Sequence, residues 1–205
     1  MNANLSSFFE IQEKHIGKDV SDPAFRKATL NMLGALNVCQ NSLNSLGLNN
    51  TASVSFVVAT LFGEVSSSLE FLTTLHEQNI AKPILFQNSL HNSTLGFVSI
   101  QLGLQGPAFT LSADQKTDQA VSNTVNSLLH LTDHVLVCYV DIIPDYLKEN
   151  YSIAFPDFEP HLGWARSFVI SKNPVQNNLA KQIEVLDFNF TQYLKESKQG
   201  QPCSS

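Results

Sequence analysis

Apolar residues recur at helical spacing in four parts of the chain. These parts cover residues 22–46, 64–79, 89–102 and 116–132. The first opens on Asp22-Pro23, an N-cap followed by proline at the first helical position. The leucines that keep the helical period, such as Leu72 and Leu75 in the second helix, are predicted to lie in the core.

Between the helices lie short, continuous apolar runs that predict buried strands. They cover residues 53–63, 107–113, 134–143, 164–171 and 182–190. The stretch 144–163 contains three prolines and a glycine and is expected to be a long irregular loop. Strands that alternate with helices predict an α/β protein, layered α/β/α around a mixed five-stranded sheet.

The length and composition fit one globular domain. The chain has 205 residues and no internal repeat, so we expect a single domain over residues 1–190 and a flexible tail over residues 191–205. Only 15% of the residues are charged, which favours a surface partly covered by a partner. The 12 Lys and Arg residues form no stripe and the net charge is −6, so nucleic-acid binding is not expected.

The sequence carries no targeting signal, metal-ligand pattern or cofactor motif. Its N-terminal residues lack the basic start and apolar core of a signal peptide, and no run reaches the roughly 18–20 apolar residues of a membrane helix. Cys39 and Cys138 stand in apolar stretches, as buried free thiols do, and no CxxC pair includes them or Cys203. We therefore expect a cytoplasmic protein without a membrane span, a metal or a cofactor.

One stretch carries a specific motif. Residues 88–115 read NSLHNSTLGFVSIQLGLQGPAFTLSADQ. A loop ending in Asn, a helix with an internal glycine and a G-L-x-G-P turn before a strand are arranged as in the β-ketoacyl synthases. The chain resembles the N-terminal half of that thiolase-like family over residues 24–190, and the matching positions are Asn92, Gly96, Gly103 and Gly106. A tight turn and close helix packing would also be sufficient structural reasons for these glycines.

The resemblance implies a position for the family's catalytic nucleophile, a cysteine at the N-terminus of a buried helix. Counted from Gly106-Pro107, this position is Gln115. A carboxamide cannot form the thioester that carries the acyl chain during condensation. Glutamine here is typical of the chain-length-factor subunits that pair with active ketosynthases. The polar residues after it, beginning with Lys116, would crowd an acyl tunnel.

Two further features of the family have no counterpart in the sequence. The family's catalytic histidines belong to the second half of the fold, and His91, His130, His134 and His161 all come too early to match them. The glycine-rich first strand of the family is also missing. We therefore expect that this chain alone does not catalyse condensation.

The resemblance also implies a dimer interface. In ketosynthases the strand before the nucleophile pairs with its counterpart across a two-fold axis, which covers an edge that would otherwise be exposed. Here that strand would comprise Pro107, Ala108, Phe109, Thr110, Leu111 and Ser112. The preceding loop, 84–91, resembles the segment that caps the neighbour's acyl pocket, with Leu85, Phe86 and Leu90 as its apolar residues.

The sequence thus predicts a non-catalytic, truncated, chain-length-factor-like subunit. It would form a heterodimer with a full-length ketosynthase in polyketide, aryl-polyene or fatty-acid-type biosynthesis, and would meet the acyl carrier protein only indirectly. Two alternatives remain open. One is a small acyl-thioester hydrolase or transferase that uses Ser112 or Thr117. The other is a homodimer that scaffolds carrier proteins, which the negative net charge disfavours because carrier proteins are acidic.

Overall fold

The structure, a computed structural model, describes residues 2–17, 23, 25–48, 51–154, 162–174 and 181–193. Within these residues one sheet has six strands, rather than the five predicted. They are β1 Asn2–Gln12, β2 Ser55–Ala59, β3 Ala108–Leu111, β4 His134–Val140, β5 Trp164–Ser171 and β6 Lys181–Glu184. Their order across the sheet is β3-β2-β4-β5-β1-β6. β2, β3 and β4 are parallel, whereas β5, β1 and β6 each run antiparallel to the preceding strand in that order, so the sheet is mixed.

Helices cover both faces of the sheet and produce the predicted α/β/α layering. The helices of the described residues are α1 Leu30–Ser45, α2 Val65–Gln78, α3 Pro83–Asn88, α4 Ser93–Leu102, α5 Thr117–Leu128 and α6 Asp145–Ala154. α1 and α4 pack on one face, where Val38 and Val98 meet Phe56 of β2. α5 packs on the other face, where Val121 meets Phe168 of β5.

β1 is the strand that the sequence does not predict. It pairs with β5 on one side and β6 on the other, so the sheet has one strand before the first predicted one. The register shifts between Leu5 and Ser7, as at a β-bulge. Ala3 and Leu5 therefore face the same core as Phe8, and the apolar alternation that would identify a strand is interrupted.

Several predicted element boundaries are wrong. α1 begins at Leu30 rather than near residue 22, because Thr29 caps it by accepting a hydrogen bond from Met32 N at 3.1 Å. Asp22 lies outside the described residues. The expected loops contain two further helices, α3 and α6; α6 lies in the stretch whose prolines and glycine predict a loop. The last predicted strand is shorter, because the chain turns after Glu184.

The segment after β6 covers the α5 face of the sheet. Phe190 is buried against Tyr139 and Phe168, with ring centroids 5.6 and 5.1 Å away, and Tyr193 stacks edge-on to Phe8. Residues 190–193 begin a helical turn, and the rest of the predicted tail, with Cys203, lies outside the described residues. The C-terminal aromatic residues are therefore part of the core.

The predicted burial holds for the cysteines but not for α2. Cys39 and Cys138 are buried free thiols, as predicted, and burial raises the pKa of Cys39 well above its usual value. In α2 the prediction is wrong: Leu72 is 57% exposed and Leu75 is also exposed, whereas the inward residues include Thr74. The apolar side of α2 thus faces away from the core.

Candidate functional site

The junction between β3 and α5 is a tight turn built from polar groups. Asp114, Gln115 and Lys116 form a single 3-10 turn, and α5 starts at Thr117. Asp114 has φ +50°, a left-handed conformation that costs a non-glycine residue about 1 kcal/mol. Gln115 is the middle residue of this turn, directly before the N-terminus of α5, so the junction has the strand–turn–helix form that the sequence predicts.

Thr117 is part of the turn and is not available as a nucleophile. Its buried hydroxyl donates to Asp114 O at 2.7 Å and accepts from Ala113 N at 3.1 Å. Ser112, the other alternative nucleophile, is exposed, and its hydroxyl donates weakly to Leu61 O at 3.4 Å. Among its described contacts there is no histidine or carboxylate that could act as its base.

A buried carboxylate joins the carboxyl ends of β2 and β4. Asp141 follows β4 and is fully buried. It accepts hydrogen bonds from Thr60 Oγ1 at 2.7 Å, Leu61 N at 3.0 Å and Phe62 N at 3.0 Å. Burial raises the pKa of Asp141 to about 6, although these three donors favour the ionised form. Asp141 therefore fixes the loop after β2, which approaches Ser112.

A second buried carboxylate, Glu64, lies where α1, α2 and α4 begin. Thr29 Oγ1 donates to Glu64 Oε1 at 3.0 Å, and Thr94 Oγ1 donates to the same oxygen. The other oxygen, Oε2, is buried without a hydrogen-bond partner, and burial raises the pKa of this carboxyl. A cavity of about 340 Å³ next to it is lined by residues such as Arg26, Ser67, Glu70 and Asn88.

His91 and Phe62 complete this end of the sheet. His91 packs directly on Gly63, so closely that a Cβ at Gly63 would lie 2.5 Å from its Nδ1 atom. The ring of Phe62 stacks on Tyr151 of α6 at 4.1 Å. The other predicted histidines lie elsewhere: His130 is exposed, His134 bonds Ser171 at the opposite end of β4, and His161 is outside the described residues. The carboxyl ends of the parallel strands thus hold polar and aromatic groups, without a nucleophile–base pair among the described residues.

β3 forms an edge of the sheet, and one side of it has no strand partner among the described residues. Pro107 O accepts a hydrogen bond from Phe56 N, and Leu111 O accepts one from Thr60 N, each at 3.0 Å. Because peptide groups alternate along a strand, Ala108 and Thr110 direct their N–H and C=O groups away from β2. Phe109 is 47% exposed, and Pro107 and Ser112 are exposed as well.

The residues expected to cap a partner's pocket lie in and just after α3, not in a loop. Phe86 is 56% exposed and Leu90 is exposed, whereas Leu85 is half-buried. Phe86 contacts Phe71 of α2 at a ring-centroid distance of 5.7 Å. The sequence does not predict α2 as a neighbour of these residues; the small polar residues at its buried positions, Ser67 and Thr74, were the available signal.

The four motif residues have different surroundings. Gly106 leaves no space for a side chain, because a Cβ would lie 2.4 Å from Val54 O, and Gly103 ends α4 with φ +65°. A Cβ at Gly96 would meet nothing within 4 Å. Asn92 precedes α4, and its backbone oxygen accepts from Gly96 N at 2.9 Å, while its side chain makes no capping bond. Close packing therefore explains Gly106 but does not explain Gly96 within this chain.

The fold and the strand–turn–helix junction define a ketosynthase-like protein of the thiolase-like class. The chain matches the family model for the β-ketoacyl synthase N-terminal domain over residues 35–204. It therefore belongs to this family. No curated protein sequence is significantly similar to it.

Solved structures share this fold. A ketosynthase (ApeO) in complex with its chain length factor (ApeC) from Xenorhabdus doucetiae matches with a TM-score of 0.64 and 17% identity, over 85% of this chain and 80% of the other. The ishigamide ketosynthase/chain length factor matches with a TM-score of 0.62 and 15% identity, over 76% of this chain and 47% of the other. AntDE:AntF is a type II polyketide synthase acyl-carrier protein in complex with its ketosynthase. It matches with a TM-score of 0.68 and 12% identity, over 84% of this chain and 62% of the other. The chain thus spans about half of the length of the second structure's chain and about three fifths of the third's.

Neither a metal site nor a membrane-spanning helix is found in the described part of the chain. His, Cys, Asp and Glu side chains do not gather there in groups of three or more that would hold an ion. None of the helices in the same residues is both long and apolar enough to cross a bilayer.

Proposed function

We propose that this chain is a non-catalytic, chain-length-factor-like subunit that pairs with a full-length ketosynthase. It stabilises that partner in the cytoplasm and shapes the far end of its acyl pocket, in polyketide, aryl-polyene or fatty-acid-type biosynthesis. The observation that carries the proposal is the glutamine at the nucleophile position of a retained β3–α5 junction. A solved complex of this fold, that of a ketosynthase with its chain length factor, supports it.

The pairing would use β3. Its outer edge offers the N–H and C=O groups of Ala108 and Thr110 to another strand, and exposed peptide edges of this kind invite strand addition. Phe109, between them, would lose its exposed surface in the contact. Burial of an aromatic side chain at the centre of an interface contributes much of the binding free energy.

A second apolar surface supports the same partner. Phe86 and Leu90 are exposed, and Phe86 contacts Phe71 of α2. Exposed apolar side chains that cluster in this way mark protein contacts more often than isolated ones do. These residues occupy the region that the sequence relates to the cap of a neighbour's acyl pocket. Acyl length would then depend on how far their side chains extend into the partner.

No observation favours the thioester hydrolase as a second function. Thr117 is used in the β3–α5 turn, and Ser112 has no base among its described contacts. Incubation of the isolated chain with acyl-carrier thioesters, followed by intact-mass measurement, would reveal an acyl adduct if this alternative were correct.

The proposal is tested by co-expression with the ketosynthase encoded nearest to this chain. Thr110→Pro removes an N–H that points away from β2, so the β2–β3 ladder stays complete and the free chain should keep its melting temperature. Because the outer edge loses a donor and Pro hinders strand addition, the affinity for the ketosynthase should fall about tenfold or more.

The matched control is Phe109→Pro. Its N–H points toward β2, so this substitution should lower the melting temperature of the free chain. The proposal is wrong if the wild-type chain stays monomeric in the presence of the ketosynthase and the ketosynthase is fully active without it.

A further inference from the structure

The first turns of α1 and α2 meet beside the cavity that Glu64 lines. Thr29 is the N-cap residue of α1 and Glu64 is that of α2, and a hydrogen bond of 3.0 Å between their side chains joins the two helix starts. A helix directs the N–H groups of its first turn and the positive end of its dipole toward its start. Two positive helix ends therefore lie side by side at this cavity.

Within the described residues, no side chain caps the start of α2. The first hydrogen bond along this helix runs from Ser68 N to Glu64 O at 3.0 Å. The N–H groups of Ser66 and Ser67 precede it and have no acceptor inside the helix. Both residues line the cavity, so their N–H and hydroxyl groups are available to a ligand there.

Glu64 is a buried polar residue of the cavity wall with one oxygen that lacks a partner. The residue is 3% exposed, and its Oε1 accepts from Thr29 and Thr94, whereas Oε2 makes no hydrogen bond to the described residues. The terminal torsion of a glutamate is soft, so a rotation of the carboxyl group brings Oε2 to the cavity surface. Burial raises the pKa of Glu64 and favours the protonated carboxyl, which is a donor. A ligand oxygen would give this group the acceptor that buried donors normally have.

The charges around the cavity favour an anionic ligand. Arg26 and Lys27 line it, and Glu70 of α2 is an exposed acidic residue of the same wall. When Glu64 is protonated, two basic side chains and two helix ends outweigh the single charge of Glu70. A guanidinium group donates parallel hydrogen bonds that match the oxygens of a phosphate, which makes Arg26 the most specific of these groups.

The cavity is larger than a phosphate group needs. Its volume is about 340 Å³, which is within the range of small-molecule sites. Ile84, Leu85 and Ile142 form an apolar part of its wall. A phosphate that carries a small organic group would therefore fill the cavity better than inorganic phosphate does.

We propose that this cavity binds the phosphate group of a small organic phosphate monoester. Ser66, Ser67 and the Arg26 guanidinium donate hydrogen bonds to the phosphate oxygens, and the Glu64 carboxyl donates one through Oε2. The site lies within one chain and does not need the ketosynthase. It can therefore be tested on the free chain, and its failure would leave the proposed pairing through β3 standing.

The test is a titration of the free chain with phenyl phosphate in phosphate-free buffer, followed by ligand-observed NMR. Phenol is the matched control, because it has the same ring without the phosphate. We expect phenyl phosphate to bind at least tenfold more tightly than phenol, and inorganic phosphate to displace it. Equal affinities for the two probes, or no displacement by inorganic phosphate, would contradict the proposal.

Two substitutions then test whether the anion binds in this cavity. Arg26→Gln should weaken the binding of phenyl phosphate about tenfold, because it removes a charge-assisted hydrogen bond. Lys181→Gln removes the same charge from β6, which does not line the cavity, and should change the affinity less than twofold. Both side chains are exposed, so neither substitution should lower the melting temperature. Equal losses would mean that the ligand responds to the charge of the whole chain, and the site would be wrong.

Glu64→Gln tests the buried carboxyl. The carboxamide keeps an acceptor for Thr29 and Thr94 and always carries an NH₂ donor, so this variant should bind phenyl phosphate at pH 7.5 at least as tightly as the wild-type chain does. Weaker binding by the folded variant would show that Glu64 does not act as a donor and would overturn the proposed site. The comparison of Arg26→Gln with Lys181→Gln remains decisive if Glu64→Gln does not fold.

Discussion

Two buried carboxylates hold the backbone at the carboxyl ends of the parallel strands. Asp141 binds the loop after β2, and Glu64 binds the hydroxyls of Thr29 and Thr94 near the starts of α1 and α4. Burial raises the pKa of both, so each is harder to ionise in the folded chain than in the unfolded one. The loop after β2 and the starts of α1 and α4 are therefore held by hydrogen bonds to buried carboxylates.

This arrangement predicts how stability depends on pH. The pKa of Asp141 is raised in the folded state from 3.8 to about 6, so the folded chain holds this proton more tightly than the unfolded chain does. Its contribution to stability is complete below pH 4 and is lost as the pH rises through 6, by about 3 kcal/mol. The pKa of Glu64 is also raised by burial, so Glu64 too should lower the stability of the fold as the pH rises. Urea unfolding at pH 4.5 and pH 7.5 measures the change.

The control for this prediction is Asp141→Asn, which cannot titrate. Its free energy of unfolding should fall less than that of the wild-type chain between the two pH values. Equal pH dependence in both proteins would show that Asp141 does not titrate in this window. The variant should also be less stable at both values, because its amide NH₂ faces the N–H groups of Leu61 and Phe62.

At the scale of elements, the parallel strands and the helices between them were predictable and β1 was not. β2 and β4 are uninterrupted apolar runs, which buried parallel strands require. β1 contains Ser6 and Ser7, both buried, and a bulge that changes which residues face each core. A period of two cannot be detected when its phase changes within the strand.

The segment after β6 gives a prediction at the same scale. Phe190 is buried between Tyr139, Phe168 and Phe188, so Phe190→Ala should lower the free energy of unfolding by about 3–5 kcal/mol. The measurement is equilibrium denaturation followed by circular dichroism. Ile153→Ala, on the exposed side of α6, is the control and should change stability by less than about 0.5 kcal/mol. A similarly small loss for Phe190→Ala would mean that this segment is not part of the core.

On the scale of the whole molecule, large apolar side chains are exposed on several elements of the described residues. They include Leu72, Leu75, Phe86, Leu90, Ile100 and Phe109. They lie on α2, on the α3 segment, on α4 and on β3, and these elements follow one another along the chain.

The isolated chain should therefore self-associate. Light scattering over a concentration series should show an apparent mass that increases with concentration, because the exposed apolar side chains and the edge of β3 find other copies. Phe86→Ser combined with Leu90→Ser should reduce the increase. Co-expression with the ketosynthase should abolish it. A constant monomer mass over the whole series would contradict this prediction.

The sequence by itself determined the α/β class and the order of the strands β2 to β5, and it predicts Gln115 at the nucleophile position. Each depends on local spacing: apolar periods of two or 3.6 residues, or a count along one motif. Tertiary structure alone decided that β1 joins the sheet and that the apolar side of α2 faces outward. The position of β1 depends on contacts between residues far apart in sequence, such as Phe8 and Phe168. The orientation of α2 could not be predicted because the spacing of apolar residues is the same whether they contact the protein's own core or a partner.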